Sequence, residues 1–143
     1  MYDKTNTIEQ KMTAMVQDRR FQVRLDPHSG VPAYRQIIDQ ILGGIAAGLL
    51  RPGAQLPTVR QLAVDLAINP NTVVRAYREL EIREILSTQQ GTGTFVTDKK
   101  PKGGEVERRR RIAQLAGELL AKAGAEGITL RELLDYFDEL RKE

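Results

Sequence analysis

Residues on which enzymes and metalloproteins depend are scarce in this chain. Its 143 residues include no cysteine and a single histidine. Without cysteine there is no disulfide framework and no thiolate metal site, which fits a reducing compartment. One isolated histidine, with no phosphate-binding loop and no facing carboxylates, leaves no recognisable catalytic site. We therefore expect a protein that is not an enzyme and that uses no cofactor and no metal.

Long apolar segments are missing as well. The longest run, residues 41–50, contains three glycines and is far shorter than the roughly 20 residues of a transmembrane helix. No apolar segment follows the charged N-terminus, so no secretory signal is expected. With 41% hydrophobic and 29% charged residues, the composition is typical of a globular domain with a core. The sequence predicts a cytoplasmic protein with no membrane partner.

Positive charge is concentrated in one short segment. The net charge is only +3, but residues 98–111 carry 7 basic and 3 acidic side chains. The tail that follows, residues 112–143, carries 4 basic and 7 acidic side chains. A basic segment of this kind could lie near DNA phosphates and add salt-dependent affinity. It could equally be a solvated linker and the exposed first turn of a helix.

The first third of the chain predicts an arm, a strand and a helix. Residues 1–20 show no sustained period, and we expect an N-terminal arm there. Phe21, Val23 and Leu25 alternate with polar residues, which predicts a short half-buried strand. Apolar residues then recur at helical spacing from Pro32, and this helix is expected to end near Gly48.

Two helices separated by a very short turn come next. Thr58 and Gln61 have the spacing of a capping box, so one helix begins at that point. Asn69 is a favourable N-cap and Pro70 a favourable first residue for a second helix. So short a connection is typical of a helix-turn-helix.

A hairpin and two more helices complete the predicted fold. Gly91 and Gly93 lie at the tip of a two-stranded ribbon, the wing. Residues 98–104 have the composition of a linker, and residues 105–143 predict two amphipathic helices. The fold class is α+β and mainly helical, with a winged helix-turn-helix at residues 21–97 and a two-helix dimerisation element after the linker. Its expected dimer contacts are Ile112, Leu115, Leu119, Leu130, Leu133, Leu134 and Phe137.

The helix that starts at Asn69 has one apolar and one polar face. Val73, Ala76, Tyr77 and Leu80 form the core face at 100° per residue, and the opposite face carries residues suited to base edges. Free amides at the helix start also favour a phosphate. Arg60, in the first turn of the preceding helix, and the wing tip are further candidates. The expected DNA-binding residues are Arg60, Asn69, Asn71, Thr72, Arg75, Arg78, Gln90, Gly91 and Thr92.

Three motifs in this order resemble the N-terminal domain of the GntR family of bacterial transcription regulators. They are Leu-Pro-x-x-Arg-x-Leu-Ala at residues 56–63, Asn-Thr-Val at residues 71–73 and Gly-x-Gly-x-Phe-Val at residues 91–96. The short C-terminal part resembles the YtrA-like branch, in which two short C-terminal helices form a dimer, and this resemblance implies a regulator of a transport operon. We expect a homodimeric repressor, and two-fold symmetry predicts that it binds an inverted repeat of double-stranded DNA. Two positions depart from the family: Pro70 stands where many relatives have Arg, and Glu84 where they usually have Gly.

One alternative from another class stays open at this stage. The same winged helix could be a protein-protein interaction module, in which the polar helix docks a protein instead of DNA. The sequence assigns no small-molecule effector.

Overall fold

Residues 21–100 and 102–142 are described by the computed structural model, so the predicted arm at residues 1–20 lies outside the described residues. Within them the chain forms five α-helices and one two-stranded sheet, which confirms the mainly helical α+β class. The chain divides into two compact units, with the boundary between Lys99 and Lys100. In chain order the elements are α1 (Ala33–Ala46), α2 (Val59–Leu66), α3 (Pro70–Ile82), β1 (Leu86–Gln89), β2 (Gly93–Val96), α4 (Glu105–Ala125) and α5 (Leu130–Lys142).

The first three helices enclose one apolar core. Each contributes the face that its sequence period predicts, and burying one such aliphatic side chain stabilises the fold by about 1.5–3 kcal/mol. Because α3 packs against both α1 and α2, the two helices together set its orientation. The buried helical residues are Ile37, Ile38 and Ile41 of α1, Leu62 and Ala63 of α2, and Val73, Ala76, Tyr77 and Leu80 of α3.

The segment before α1 is extended, but the predicted strand at residues 21–25 is wrong. Its backbone pairs with glutamine side chains instead of a neighbouring strand. The Arg24 N–H donates to Gln40 Oε1 at 2.8 Å, and Gln40 Nε2 donates back to the Arg24 carbonyl at 2.6 Å. Gln36 makes the same pair of contacts with the backbone of Asp26, at 2.8 and 2.9 Å. Apolar side chains therefore alternate in burial here without a β-ladder.

Capping chemistry sets the boundaries of the helix-turn-helix. Thr58 Oγ1 accepts the Gln61 N–H at 3.1 Å, which starts α2 at the predicted residue. The helix ends at Ala67, whose φ of 55° is left-handed. Asn69 then caps α3, so a turn of only three residues, 67–69, separates the two helices. The predicted helix-turn-helix is confirmed.

The wing is an antiparallel hairpin that is bonded on both sides of β2. Its register pairs Leu86 with Val96 and Gln89 with Gly93, which leaves residues 90–92 as the tip. On the other edge of β2, residues 54–56 pair with it through hydrogen bonds of 2.8 and 2.9 Å. The sequence did not indicate this second partner, which joins the wing to the chain just before α2.

The second unit consists of α4, α5 and a short turn. Thr129 and Glu132 form the predicted capping box: the Thr129 N–H donates to Glu132 Oε2 at 2.8 Å, and the Glu132 N–H donates to Thr129 Oγ1 at 3.2 Å. The backbone hydrogen bond from Thr129, followed by its side-chain bond, lowers the pKa of Glu132. Of the described residues in this unit, only Ala123 is buried. Both predicted helices are confirmed, and most of their apolar side chains are exposed.

Candidate nucleic-acid interface

The outward face of α3 is polar from Asn71 to Arg78, and the exposed Ile82 follows on the same side in the last turn. Asn71, Arg75 and Arg78 are exposed, and they lie opposite the buried face of the same helix. Thr72 and Val74 are half-buried on the flanks. This is the predicted orientation of every one of these side chains. A helix with amide and guanidinium groups on its free face can donate to guanine and adenine edges in the major groove.

The start of α3 differs from the expectation of free amides. Pro70 has no N–H, and the Asn71 N–H donates to Asn69 Oδ1 at 2.8 Å. The Thr72 N–H donates to the Asn69 carbonyl at 3.0 Å. The expectation that this terminus offers free amides to a phosphate is therefore wrong, because the N-cap already satisfies them. The side chain of Asn69 keeps its Nδ2 donor for an outside partner.

Arg75 is held against an aromatic ring that the sequence analysis did not connect with it. Its guanidinium carbon lies 3.8 Å from the centre of the Tyr34 ring, directly over the face. Tyr34 is in the first turn of α1 and is half-buried against the core. Tyr34 was interpreted only as part of the apolar stripe of α1. No local pattern could have paired it with Arg75, since the contact depends on how α1 packs against α3.

The other predicted contact residues lie on α2 and on the wing. Arg60 is exposed in the first turn of α2. Gln90, Gly91 and Thr92 are exposed at the wing tip, where Gly91 has a φ of 77°. These positions agree with the predicted helix and hairpin, while a role in DNA contact stays a prediction.

Two side-chain contacts brace the wing, and neither was predicted. Gln55 Nε2 donates to the Thr92 carbonyl at 3.2 Å and lies where a side chain at Gly93 would stand. On the hairpin itself, Thr88 Oγ1 donates to Glu81 Oε1 of α3 and lies 3.1 Å from Thr94 Oγ1. The wing is thus linked directly to the last turn of α3, where Glu81 lies.

In the basic segment after the wing, Lys99 makes contacts within the folded domain. Lys99 Nζ donates to the Arg83 carbonyl at 3.0 Å and lies 3.5 Å from Glu84 Oε2. It therefore neutralises the negative end of α3, where a cation is favourable. Lys100, Lys102 and the four arginines at 108–111 are exposed, so both interpretations of the basic segment still apply to them.

Within the described part of the chain there is neither a metal-binding cluster nor a membrane-spanning helix. In residues 21–100 and 102–142 no three His, Cys, Asp or Glu side chains come together as a metal site would require. No helix in the same ranges combines the length and hydrophobicity needed to cross a membrane.

Comparison with known proteins gives one consistent result. The family model "Bacterial regulatory proteins, gntR family" matches residues 33–96, from the start of α1 to the end of the wing. The HTH-type transcriptional repressor YtrA of Bacillus subtilis is 34% identical and aligns with 82% of this chain and 91% of its own length. The HTH-type transcriptional regulator Rv1152 of Mycobacterium tuberculosis is 39% identical, over 80% of this chain and 89% of its own. The solved structure of YtrA from Sulfolobus acidocaldarius, described as a GntR-family transcription factor, is 32% identical with a TM-score of 0.52, over 69% of this chain and 97% of its own.

Proposed function

We propose a mode of action for this chain, which belongs to the GntR family of bacterial regulatory proteins and to its YtrA-like branch. As a member of that family it is a DNA-binding transcription regulator. It acts in the cytoplasm as a dimeric repressor, and each subunit contacts one half of an inverted repeat. Residues 21–97 bind DNA, residues 98–104 are the linker, and residues 105–143 form the dimer.

One observation carries the assignment of the DNA-binding face. Asn71, Arg75 and Arg78 lie exposed on α3, opposite its buried face, and the helix follows a three-residue turn. In a helix-turn-helix the second helix enters the major groove with its N-terminal residues at the base edges. Arg75 and Arg78 donate to guanine and Asn71 to adenine, which are the pairings that their geometry favours.

The remaining residues assist α3. Asn69 and Thr72, at the helix start, and Arg60 on α2 contact the adjacent backbone or base edges. Gln90, Gly91 and Thr92 at the wing tip approach the neighbouring DNA backbone, since a glycine there allows close approach. These contacts orient the domain, and the outer face of α3 supplies most of the sequence preference.

The C-terminal helices form the dimer interface. Six of the seven residues predicted for it are exposed in the single chain, from Leu119 at 40% to Ile112 at 58%, and Leu133 is half-buried. Apolar surface of this extent on a small element needs a partner. A second copy supplies the same stripes, and closed two-fold symmetry then presents two α3 helices to an inverted repeat.

The regulated genes follow from the resemblance to the YtrA-like branch, which implies a transport operon. An inverted repeat upstream of such neighbouring genes is the expected operator. Deleting the gene for this protein should raise transcription of that operon if the protein represses it. We expect no catalytic activity and no cofactor.

The assignment of α3 is tested by Arg75→Ala in the full chain. The probe is the duplex that the wild-type protein selects from a randomised pool, and binding is measured by gel shift over a range of salt concentrations. Arg75→Ala should cost about 1–3 kcal/mol and relax the preference at one base pair.

The matched control is Arg83→Ala, which removes the same charge from the end of α3. It should weaken all sequences alike and leave the base preference intact. Wild-type affinity and preference in Arg75→Ala would contradict this assignment.

A further inference from the structure

We infer that Tyr34 is a positioning residue for sequence recognition, because it holds the guanidinium of Arg75 ready for the major groove. The inference rests on the proposed function, in which Arg75 contacts a base. Tyr34 itself belongs to α1 and has no place among the residues assigned to DNA.

The geometry of the contact is the first argument. A guanidinium carbon 3.8 Å from the centre of the Tyr34 ring is in van der Waals contact with the ring face. The attraction between a cation and an aromatic face acts out to about 6 Å and strengthens at closer range. Arg35 lies 5.9 Å from the same centre, at the edge of that range. The ring is therefore occupied mainly by Arg75.

The guanidinium N–H groups of Arg75, which a base would accept from, remain available. Among the described residues no side chain or carbonyl accepts a hydrogen bond from Arg75. The N–H groups of a guanidinium lie in its plane, so contact through the face leaves them able to form a bidentate pair with guanine. The ring thus restrains the side chain without competing for its donors.

The support of the ring is itself rigid. Tyr34 packs against the core beside the fully buried Ile37 and Ile38 of α1. Arginine loses much rotamer freedom when it is ordered, and a side chain that is ordered before binding loses less on association. A side chain anchored on a rigid element also holds a contact geometry more closely than a free one.

The test uses full-length variants and the duplex that the wild-type protein selects from a randomised pool. Tyr34→Leu should weaken binding by about three- to tenfold. It should also reduce the preference for one base over the others, at the same base pair where Arg75→Ala reduces it. Tyr34→Phe keeps the ring face and should restore both affinity and preference. In an Arg75→Ala background Tyr34→Leu should have no further effect on binding, because its effect acts through Arg75.

Ile45→Ala is the control for a general loss of packing, because it also truncates a half-buried side chain of α1 and leaves the Tyr34 ring in place. That variant should lower the unfolding temperature while base preference stays as in the wild type. If Tyr34→Leu fails to fold, Tyr34→Met offers an unbranched, flexible side chain of similar volume that can fill the site differently, and it lacks the ring in the same way.

The outcomes distinguish this inference from the proposed function. Unchanged or tighter binding by Tyr34→Leu, with weak binding by Arg75→Ala, would overturn the role of Tyr34 alone. Tighter binding would mean that the ring holds Arg75 away from DNA. Wild-type binding by Arg75→Ala would overturn both the assignment of α3 and the role of Tyr34.

Discussion

At the scale of single residues, Tyr77 ties the outward-facing helix to the rest of the domain. Its side chain is 3% exposed, and its hydroxyl donates to the Pro57 carbonyl at 2.7 Å. Pro57 immediately precedes the cap of α2, so this hydrogen bond links α3 to the start of α2. Burial raises the pKa of the Tyr77 hydroxyl well above its ordinary value of 10.0.

Tyr77→Phe should lower the free energy of unfolding by about 1 kcal/mol, because the partly buried Pro57 carbonyl loses its donor. The raised pKa also predicts a pH dependence. Below pH 10.0 the hydroxyl is protonated in both the folded and the unfolded chain, and its contribution to stability is complete. At higher pH the unfolded chain releases the proton first, so stability should fall as the pH rises. Denaturant unfolding at neutral and alkaline pH measures both effects, and an equal alkaline loss in Tyr77→Phe would contradict the assignment to Tyr77.

Glu84 occupies a backbone conformation that favours glycine. Its φ is 60°, and a non-glycine residue in the left-handed region costs roughly 1–2 kcal/mol. The family resemblance places Gly at this position. The ion pair with Lys99 compensates only in part, since both side chains are exposed and such pairs contribute at most about 1 kcal/mol.

Glu84→Gly should therefore raise the free energy of unfolding by about 1 kcal/mol, because it removes the left-handed strain. Glu84→Ala is the matched control, since it loses the same ion pair and retains the strain. Thermal unfolding of the two variants measures the difference. Equal unfolding temperatures of Glu84→Gly and Glu84→Ala would show that backbone strain at Glu84 is negligible.

At the scale of elements, the wing depends on contacts from outside the hairpin. Residues 54–56 pair with β2, Gln55 bonds to the tip, and Glu81 bonds to Thr88. Two of these contacts come from the segment before α2, and the third comes from the last turn of α3. The position of the wing beside α3 is thus a property of the packed domain and not of the hairpin alone.

The two wing glycines should respond differently to substitution. A Cβ on Gly91 would meet nothing within 4 Å, whereas one on Gly93 would lie 2.6 Å from Gln55 Nε2. Gly91→Val disfavours the φ of 77° at the exposed tip. Because no atoms surround that position, the tip can adopt another conformation, so DNA binding should weaken while thermal unfolding changes little. Gly93→Val should in addition displace Gln55 and lower the unfolding temperature. Normal DNA affinity together with a large loss of stability in Gly91→Val would show that this glycine serves only the fold.

At the scale of the whole molecule, the proposed function assigns DNA binding to the first unit and dimerisation to the second. The unit that ends at Lys99 has a buried core, while the unit that follows has most of its apolar residues exposed. A dimer through the second unit brings two DNA-binding domains to one operator. The second half-site then binds at a high effective concentration, which raises affinity without any new contact.

Leu119→Glu and Phe137→Glu should each give a monomer with a folded winged domain and much weaker operator binding, because a buried carboxylate in the interface lacks a partner. Ala121→Glu is the control, since Ala121 lies on the opposite side of α4 at 100° per residue. Sedimentation measures the mass of each variant, and gel shift measures its affinity. A wild-type protein that sediments as a monomer at micromolar concentration would contradict the dimer.

Local chemistry explains why so much of this fold was predictable. The capping residues Thr58, Asn69 and Thr129 act on amides within three residues of themselves, so their sequence spacing already defines where α2, α3 and α5 begin. The helical period likewise separates the buried face of α3 from its polar face before any partner is known. Gly91 and Gly93 predicted the tip of the wing, and the order of the three motifs indicated the family.

The remaining features depend on segments that are distant in sequence and adjacent only after packing. Tyr34 meets Arg75 because α1 packs on α3, and Lys99 reaches the end of α3 because the chain returns there after the wing. Gln36 and Gln40 replace a strand partner that the alternation at residues 21–25 had predicted. A periodic pattern reports which side of a segment is buried, and it carries no information about what lies against that side. The sequence alone therefore determined the elements, their faces and the family, whereas only the tertiary structure decided which side chains contact and brace the predicted DNA-binding residues.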